Sequence, residues 1–132
     1  MYILIVDDEP IVRTALISRV ERLGHTAKAV SDGEEALAVM RAEKPGLVIL
    51  DMVLDRGLSG WETAKVKQDD PGIRDIPLIV MSALPPEEVR AGRYAHGVFS
   101  YPLAGAVLLL TKPVDSASLG RAITAIVLAS KG

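Results

Sequence analysis

Asp7, Asp8, Asp51, Ser82 and Lys112 are the residues of this chain whose types and positions could do chemistry together. Three carboxylates offer hard oxygen donors for a divalent cation, with water completing its shell. A hydroxyl and an ammonium add hydrogen-bond donors for the oxygens of a phosphoryl group. Each of these residues stands where an apolar run stops. Ile3 to Val6 leads into Asp7 and Asp8, and Leu47 to Leu50 leads into Asp51. Leu78 to Met81 leads into Ser82 and Ala83, and Val107 to Thr111 leads into Lys112 and Pro113. Aliphatic runs of this length, separated by amphipathic stretches, read as buried parallel strands. In an open α/β sheet the carboxyl ends of the strands converge where ligands bind. Side chains far apart in sequence should therefore meet in one pocket, suited to a divalent cation and a phosphoryl group.

The remaining pattern supplies the elements that would position them. Strand and helix alternate five times, with no linker or repeat. Pro10 suits a first helical turn, and Ile11, Val12, Ala15, Leu16, Val20 and Leu23 form a helical stripe that Gly24 closes. Thr26 to Val30 is a weaker strand, expected at an edge. Asp32 followed by Glu35 is a capping box for a helix ending near Lys44-Pro45. Arg56 to Gly60 reads as loop, Trp61 to about Lys67 as a short helix, and Asp69 to Gly72 as a solvated turn cluster. A helix through Glu87, Glu88 and Val89 follows Pro85-Pro86. The last helix carries Leu119, Ala122, Ile123, Ile126 and Val127. The expected fold is α/β: a flavodoxin-like, doubly wound, five-stranded parallel sheet of order 2-1-3-4-5 with helices on both faces.

Composition narrows the function. A chain of 132 residues that is 49% hydrophobic is expected to form one domain, 1–132, with a real core. A net charge of −2 argues against a nucleic-acid surface, which needs a basic stripe. The absence of cysteine excludes disulfides and thiolate metal sites. The longest apolar stretch, Leu103 to Leu110, is too short to cross a membrane, and no basic-then-apolar leader precedes the first strand. These features lead to the expectation of a soluble cytoplasmic protein. His25 and His96 lack ligand-spaced companions, and Trp61 reads as a helix anchor.

From Tyr2 to about Ser130 the chain resembles the receiver domains of two-component response regulators. The markers occur in order: the acidic pair Asp7-Asp8, Asp51, Ser82 with its small neighbour Ala83, and Lys112-Pro113. The resemblance implies that Asp51 is the phosphoacceptor, since a carboxylate can attack phosphorus once the transferring oxygens are neutralised. It implies that Asp7, Asp8, Asp51 and the main-chain carbonyl of Val53 hold Mg²⁺, or Mn²⁺ in its place. Without metal, the mutual repulsion of the acids should raise their proton affinities. Lys112 would pair with the acceptor and then with the phosphoryl group, and Lys112-Pro113 would be cis. Ser82 would be the switch hydroxyl that turns toward the new phosphoryl oxygen and reshapes the face of the fourth helix, fifth strand and fifth helix. The plain alternatives are that Asp51 merely ends a strand, that Asp8 caps the helix at Pro10, and that Lys112 is solvated.

The resemblance further implies a histidine kinase or histidine phosphotransfer protein as donor, a downstream protein partner, and catalysis limited to the protein's own phosphorylation and dephosphorylation. Three departures stand out. Asp55 replaces a common proline in a loop one residue longer than usual, Leu109 replaces an aromatic, and the Ser82–Lys112 stretch is extended and carries Tyr94, Phe99 and Tyr101. The last two raise a second reading, a receiver-shaped interaction module working without phosphate. Leu108, Leu109, Ala125, Leu128 and Ala129 would give the output face an apolar character suited to a homodimer or another partner. Val53 and Leu84, two residues past Asp51 and Ser82, are apolar where a polar side chain could orient water, so the phosphoryl group should be long-lived. A hydrolase with an Asp-x-Asp first strand and a flavin protein with a polar phosphate loop both fit poorly.

Overall fold

The computed structural model describes residues 1–83, 87, 93–94, 97–98 and 106–131. The main sheet contains β1 (Tyr2–Val6), β2 (Thr26–Val30), β3 (Leu47–Asp51), β4 (Leu78–Ser82) and β7 (Ala106–Thr111). Its order is β2-β1-β3-β4-β7, and every adjacent pair is parallel. With β7 as its fifth strand, the sheet has the expected order 2-1-3-4-5. A separate antiparallel pair, β5 (Arg93–Tyr94) and β6 (Gly97–Val98), lies within the long stretch before β7 and has no counterpart in the sequence reading.

Alternation along the strands feeds two cores. Leu4, Val6, Val48, Leu50, Leu78 and Val80 face α2 (Gly33–Glu43) and α3 (Gly60–Asp69). Ile3, Ile5, Leu47, Ile49, Ile79 and Met81 face α1 (Pro10–Arg22) and α4 (Ser116–Lys131). Helices thus cover both faces, so the central strands are apolar at successive positions. Val39, Met40 and Ala64 close the first core, while Leu16, Val20, Leu119, Ile123 and Ile126 close the second. Truncating a fully buried residue such as Ile49 would cost about 2–5 kcal/mol.

Local signals account for most helix ends. Pro10 opens α1, and Asp32 accepts the Glu35 amide at 2.8 Å to open α2. Three local expectations need correction. Ile11 is 84% exposed, at the rim of a cavity it lines with Val12, Met81 and Pro113, and Leu23 is exposed at the opposite end of the helix. α3 starts at Gly60, one residue before Trp61, because Ser59 and Glu62 form a reciprocal capping box. Asp70 is not simply solvated, since it accepts Arg41 Nε at 3.0 Å and the Gly72 amide at 2.9 Å. Lys67 is buried within α3 and donates to the Arg74 carbonyl at 3.1 Å. Of the expected fourth helix, only Glu87 is described, with helical backbone; Glu88 and Val89 lie outside the described residues, as do Leu84, His96, Phe99 and Tyr101.

Candidate phosphoacceptor and cation site

Backbone ladders carry the candidate residues past the last strand pairs. The Asp7 amide donates to the Val30 carbonyl at 3.2 Å, and the Lys112 amide donates to the Ser82 carbonyl at 2.8 Å. Asp51 ends β3 in register with Met81, and the Met52 amide continues that ladder to the Met81 carbonyl at 3.0 Å. Gly60 packs directly over this turn: its amide donates to the Met52 carbonyl at 3.0 Å, and any Cβ there would collide with the Asp51 carbonyl. Sequence-distant groups are thereby fixed at one end of the sheet.

Lys112 joins two of the acids. Its Nζ donates to Asp7 Oδ2 and to Asp51 Oδ2, each at 2.8 Å. The second oxygen of each acid is also engaged, Asp7 Oδ1 by the Glu9 amide at 2.9 Å and Asp51 Oδ1 by the Val53 amide at 3.1 Å. Asp8 does not cap α1, whose cap position is Glu9; it accepts the Asp55 amide at 3.0 Å instead. The longer loop after Asp51 is therefore tied back to the acidic pair through the residue that stands where proline is common. Arg13 donates to the Asp7 carbonyl at 2.9 Å, a contact not anticipated from the sequence.

Asp7, Asp8 and Asp51 can each direct one carboxylate oxygen so that the three lie within 4.8 Å of one another. Such an all-oxygen donor set fits a hard divalent cation of the Mg²⁺ type. Asp7 and Asp51 are buried, while Asp8 is half-buried. Burial is the chief reason that the Asp51 carboxyl is pushed up to about 6; the Lys112 and Val53 hydrogen bonds pull it down, and the Asp7 charge adds a smaller upward push. The expected rise thus holds for Asp51, with desolvation rather than repulsion as its main cause. Burial also opposes the charge on Lys112, but its bonds to Asp51 and Asp7 prevail and hold it above the ordinary lysine value.

Ser82 is 1% exposed at the end of β4, paired in register with Thr111. Val53 is half-buried beside Asp51, and the Lys112–Pro113 peptide is cis. Leu109 packs partly into the core shared with Val80, whereas Leu108 and Leu128 are exposed. Two further connections around the site were missed by sequence reasoning. The Ser59-x-x-Glu62 box had a readable signal. The hydrogen bond from the Leu58 amide to Glu34 had none, because it joins an exposed helical acid to a distant loop.

The model of the response regulator receiver domain matches residues 3–124. The chain belongs to that family. Receiver relatives occur both as short proteins and as parts of longer ones. Protein PilH of Pseudomonas aeruginosa is 32% identical over 124 residues, which is 94% of this chain and 95% of PilH. The probable transcriptional regulator ycf27 of Porphyridium aerugineum is 34% identical over 82 residues, 62% of this chain, and the match spans only 32% of that relative. Among solved structures, the receiver domain of the sensor histidine kinase PA1611 from Pseudomonas aeruginosa superposes with a TM-score of 0.80 at 23% identity, covering 94% of each chain. That crystal structure has a magnesium ion coordinated in its active site cleft. Receiver domains are two-component signalling modules, and among the described residues no helix of this one is long and apolar enough to cross a membrane.

Proposed function

We propose that this receiver accepts a phosphoryl group on Asp51 from the phosphohistidine of a histidine kinase or phosphotransfer protein. One observation carries the reading: Lys112 Nζ lies 2.8 Å from both Asp7 and Asp51 in a cluster whose three acids can face a single cation. An Asp51 oxygen attacks phosphorus, the P–N bond breaks, and the imidazole leaves with the bond's electrons and takes up a proton. Lys112 keeps a positive charge beside the transferring oxygens. Asp7, Asp8, Asp51 and the Val53 carbonyl would hold Mg²⁺, or Mn²⁺ in its place. The bound cation supplies charge neutralisation for the phosphoryl oxygens. Ser82 then donates to the phosphoryl oxygen and shifts the segment after β4. The protein catalyses only its own phosphorylation and dephosphorylation, in the cytoplasm, alone or as part of a longer chain.

Output runs through the face of β7 and α4, where exposed Leu108 and Leu128 favour a protein partner or a second copy. Leu109 supports a modified readout, since a leucine packed partly into the core replaces the aromatic ring that many receivers swing at that position. The test is incubation with acetyl phosphate, with Mg²⁺ or with EDTA, followed by intact mass. Wild type gains one phosphoryl group only with Mg²⁺, and Asp51→Asn gains none; equal labelling of both proteins defeats the reading.

A further inference from the structure

The loop from Met52 to Ser59 is closed at its base by the Gly60–Met52 hydrogen bond and the Ser59–Glu62 capping box, and two further ties hold its body. One tie is within the acidic site, where Asp8 Oδ2 accepts the Asp55 amide. The other comes from outside it. Glu34, in the first turn of α2, accepts the Leu58 amide through Oε1 at 3.2 Å. Its carboxylate also lies flat against Gly57, so close that a Cβ there would sit 2.5 Å from both carboxylate oxygens. Gly57 has φ +63, a left-handed conformation that costs little only for glycine. Three features thus converge on one contact: an acceptor, a residue without a side chain, and a backbone turn that presents the next amide to the acceptor. Glu34 is exposed and contributes nothing to either core, so burial does not explain its placement.

We propose that Glu34 is a positioning residue for the cation site, an inference that rests on the phosphoacceptor reading above. By clamping Gly57 and Leu58, it joins the Ser59–Glu62 capping box in holding the far end of the loop whose near end carries Val53 and Asp55. In this chain the loop is long and has Asp55 where a proline would stiffen it. A fixed loop keeps the Val53 carbonyl and the Asp55 amide in place before the cation arrives, so less ordering has to be paid on binding. Residues that orient ligands from behind typically change metal affinity by about tenfold or more when removed. The rival account is that Glu34 merely favours the positive end of α2, as an acid in a first turn does. That role would lower stability without altering cation affinity.

The experiment is a Mg²⁺ titration of wild type, Glu34→Ala, Glu34→Gln, Gly57→Ala and Glu34→Ala/Gly57→Ala, read from the backbone amide resonances of Val53 and Asp55, with thermal melts alongside. Glu34→Ala should weaken Mg²⁺ by about tenfold. Glu34→Gln, which retains an acceptor oxygen, should stay close to wild type. Gly57→Ala should weaken Mg²⁺ in wild type and have a smaller effect once Glu34 is alanine, because the added methyl then has room. Wild-type affinity in Glu34→Ala, with or without a lower melting temperature, overturns the clamp and leaves the acceptor site standing. A wild-type protein that never saturates with Mg²⁺ overturns both.

Discussion

Lys112 and Lys67 are both drawn out of solvent, yet the first is held above the ordinary lysine value and the second is lowered to about 8. Burial acts against the charge in both regions. At the carboxyl end of the sheet it is outweighed by two carboxylates at 2.8 Å. Beneath α3, the one acceptor Lys67 reaches among the described residues is the Arg74 carbonyl, and Asp75 helps through its charge. Partner chemistry, rather than depth, decides what a buried lysine becomes. One site holds a fixed cation beside a nucleophile. The other pins the turn after α3 at an electrostatic cost.

The largest effect should come from removing the fixed charge. Lys112→Met should slow acceptance of phosphate by roughly a hundredfold or more, the scale expected for a lost charge-stabilising donor. Lys67→Met should leave acceptance unchanged. Labelling rates with acetyl phosphate distinguish the two, and equal losses would erase the contrast.

The second effect is on stability. Native Lys67 binds fewer protons than the unfolded chain between about pH 8 and 10.5, so its contribution to stability rises with pH across that window. The difference between wild type and Lys67→Met should change by up to about 3 kcal/mol over this range, from denaturant melts at several pH values. A pH-independent difference would mean that Lys67 is not desolvated. Asp51 shows the opposite sign. Its native carboxyl, at about 6 against an ordinary 3.8, binds more protons than the unfolded chain between those values, so stability falls as pH rises there. In the cation-free protein its carboxyl carbon should titrate near pH 6 by NMR, and Mg²⁺ should move that midpoint down. A midpoint near 4 without metal would show that the Lys112 pairing outweighs burial.

The smallest effect concerns water. Val53→Asn should shorten the lifetime of the phosphoryl group by about tenfold or less, since general base and orientation effects begin near that scale. Unchanged or slower loss would mean that water is already positioned by other groups.

The contrast between the lysines also marks what a sequence can and cannot disclose. Asp7, Asp51 and Lys112 were legible because each ends an aliphatic run, and parallel strands bring such ends together. The sheet order followed from the same alternation. Lys67 carries no sequence signal of its burial; its ammonium reaches the Arg74 carbonyl in the segment that folds back after α3. Ile11 fitted the helical stripe, but periodicity does not say which members of a stripe the fold covers. Glu34 stands in the first turn of α2, and its bond to Leu58 crosses between elements that no local pattern links. Long-range polar contacts are the part that had to be seen.

Peptide mapping of the phosphorylated protein after borohydride reduction tests the central claim most directly, because hydride displaces phosphate from an acyl phosphate and leaves a stable mark on the residue that carried it. The account predicts one modified residue, Asp51, converted to homoserine only when Mg²⁺ was present during phosphorylation. Modification at Asp7, Asp8 or another residue, or conversion of Asp51 independent of Mg²⁺, would contradict it.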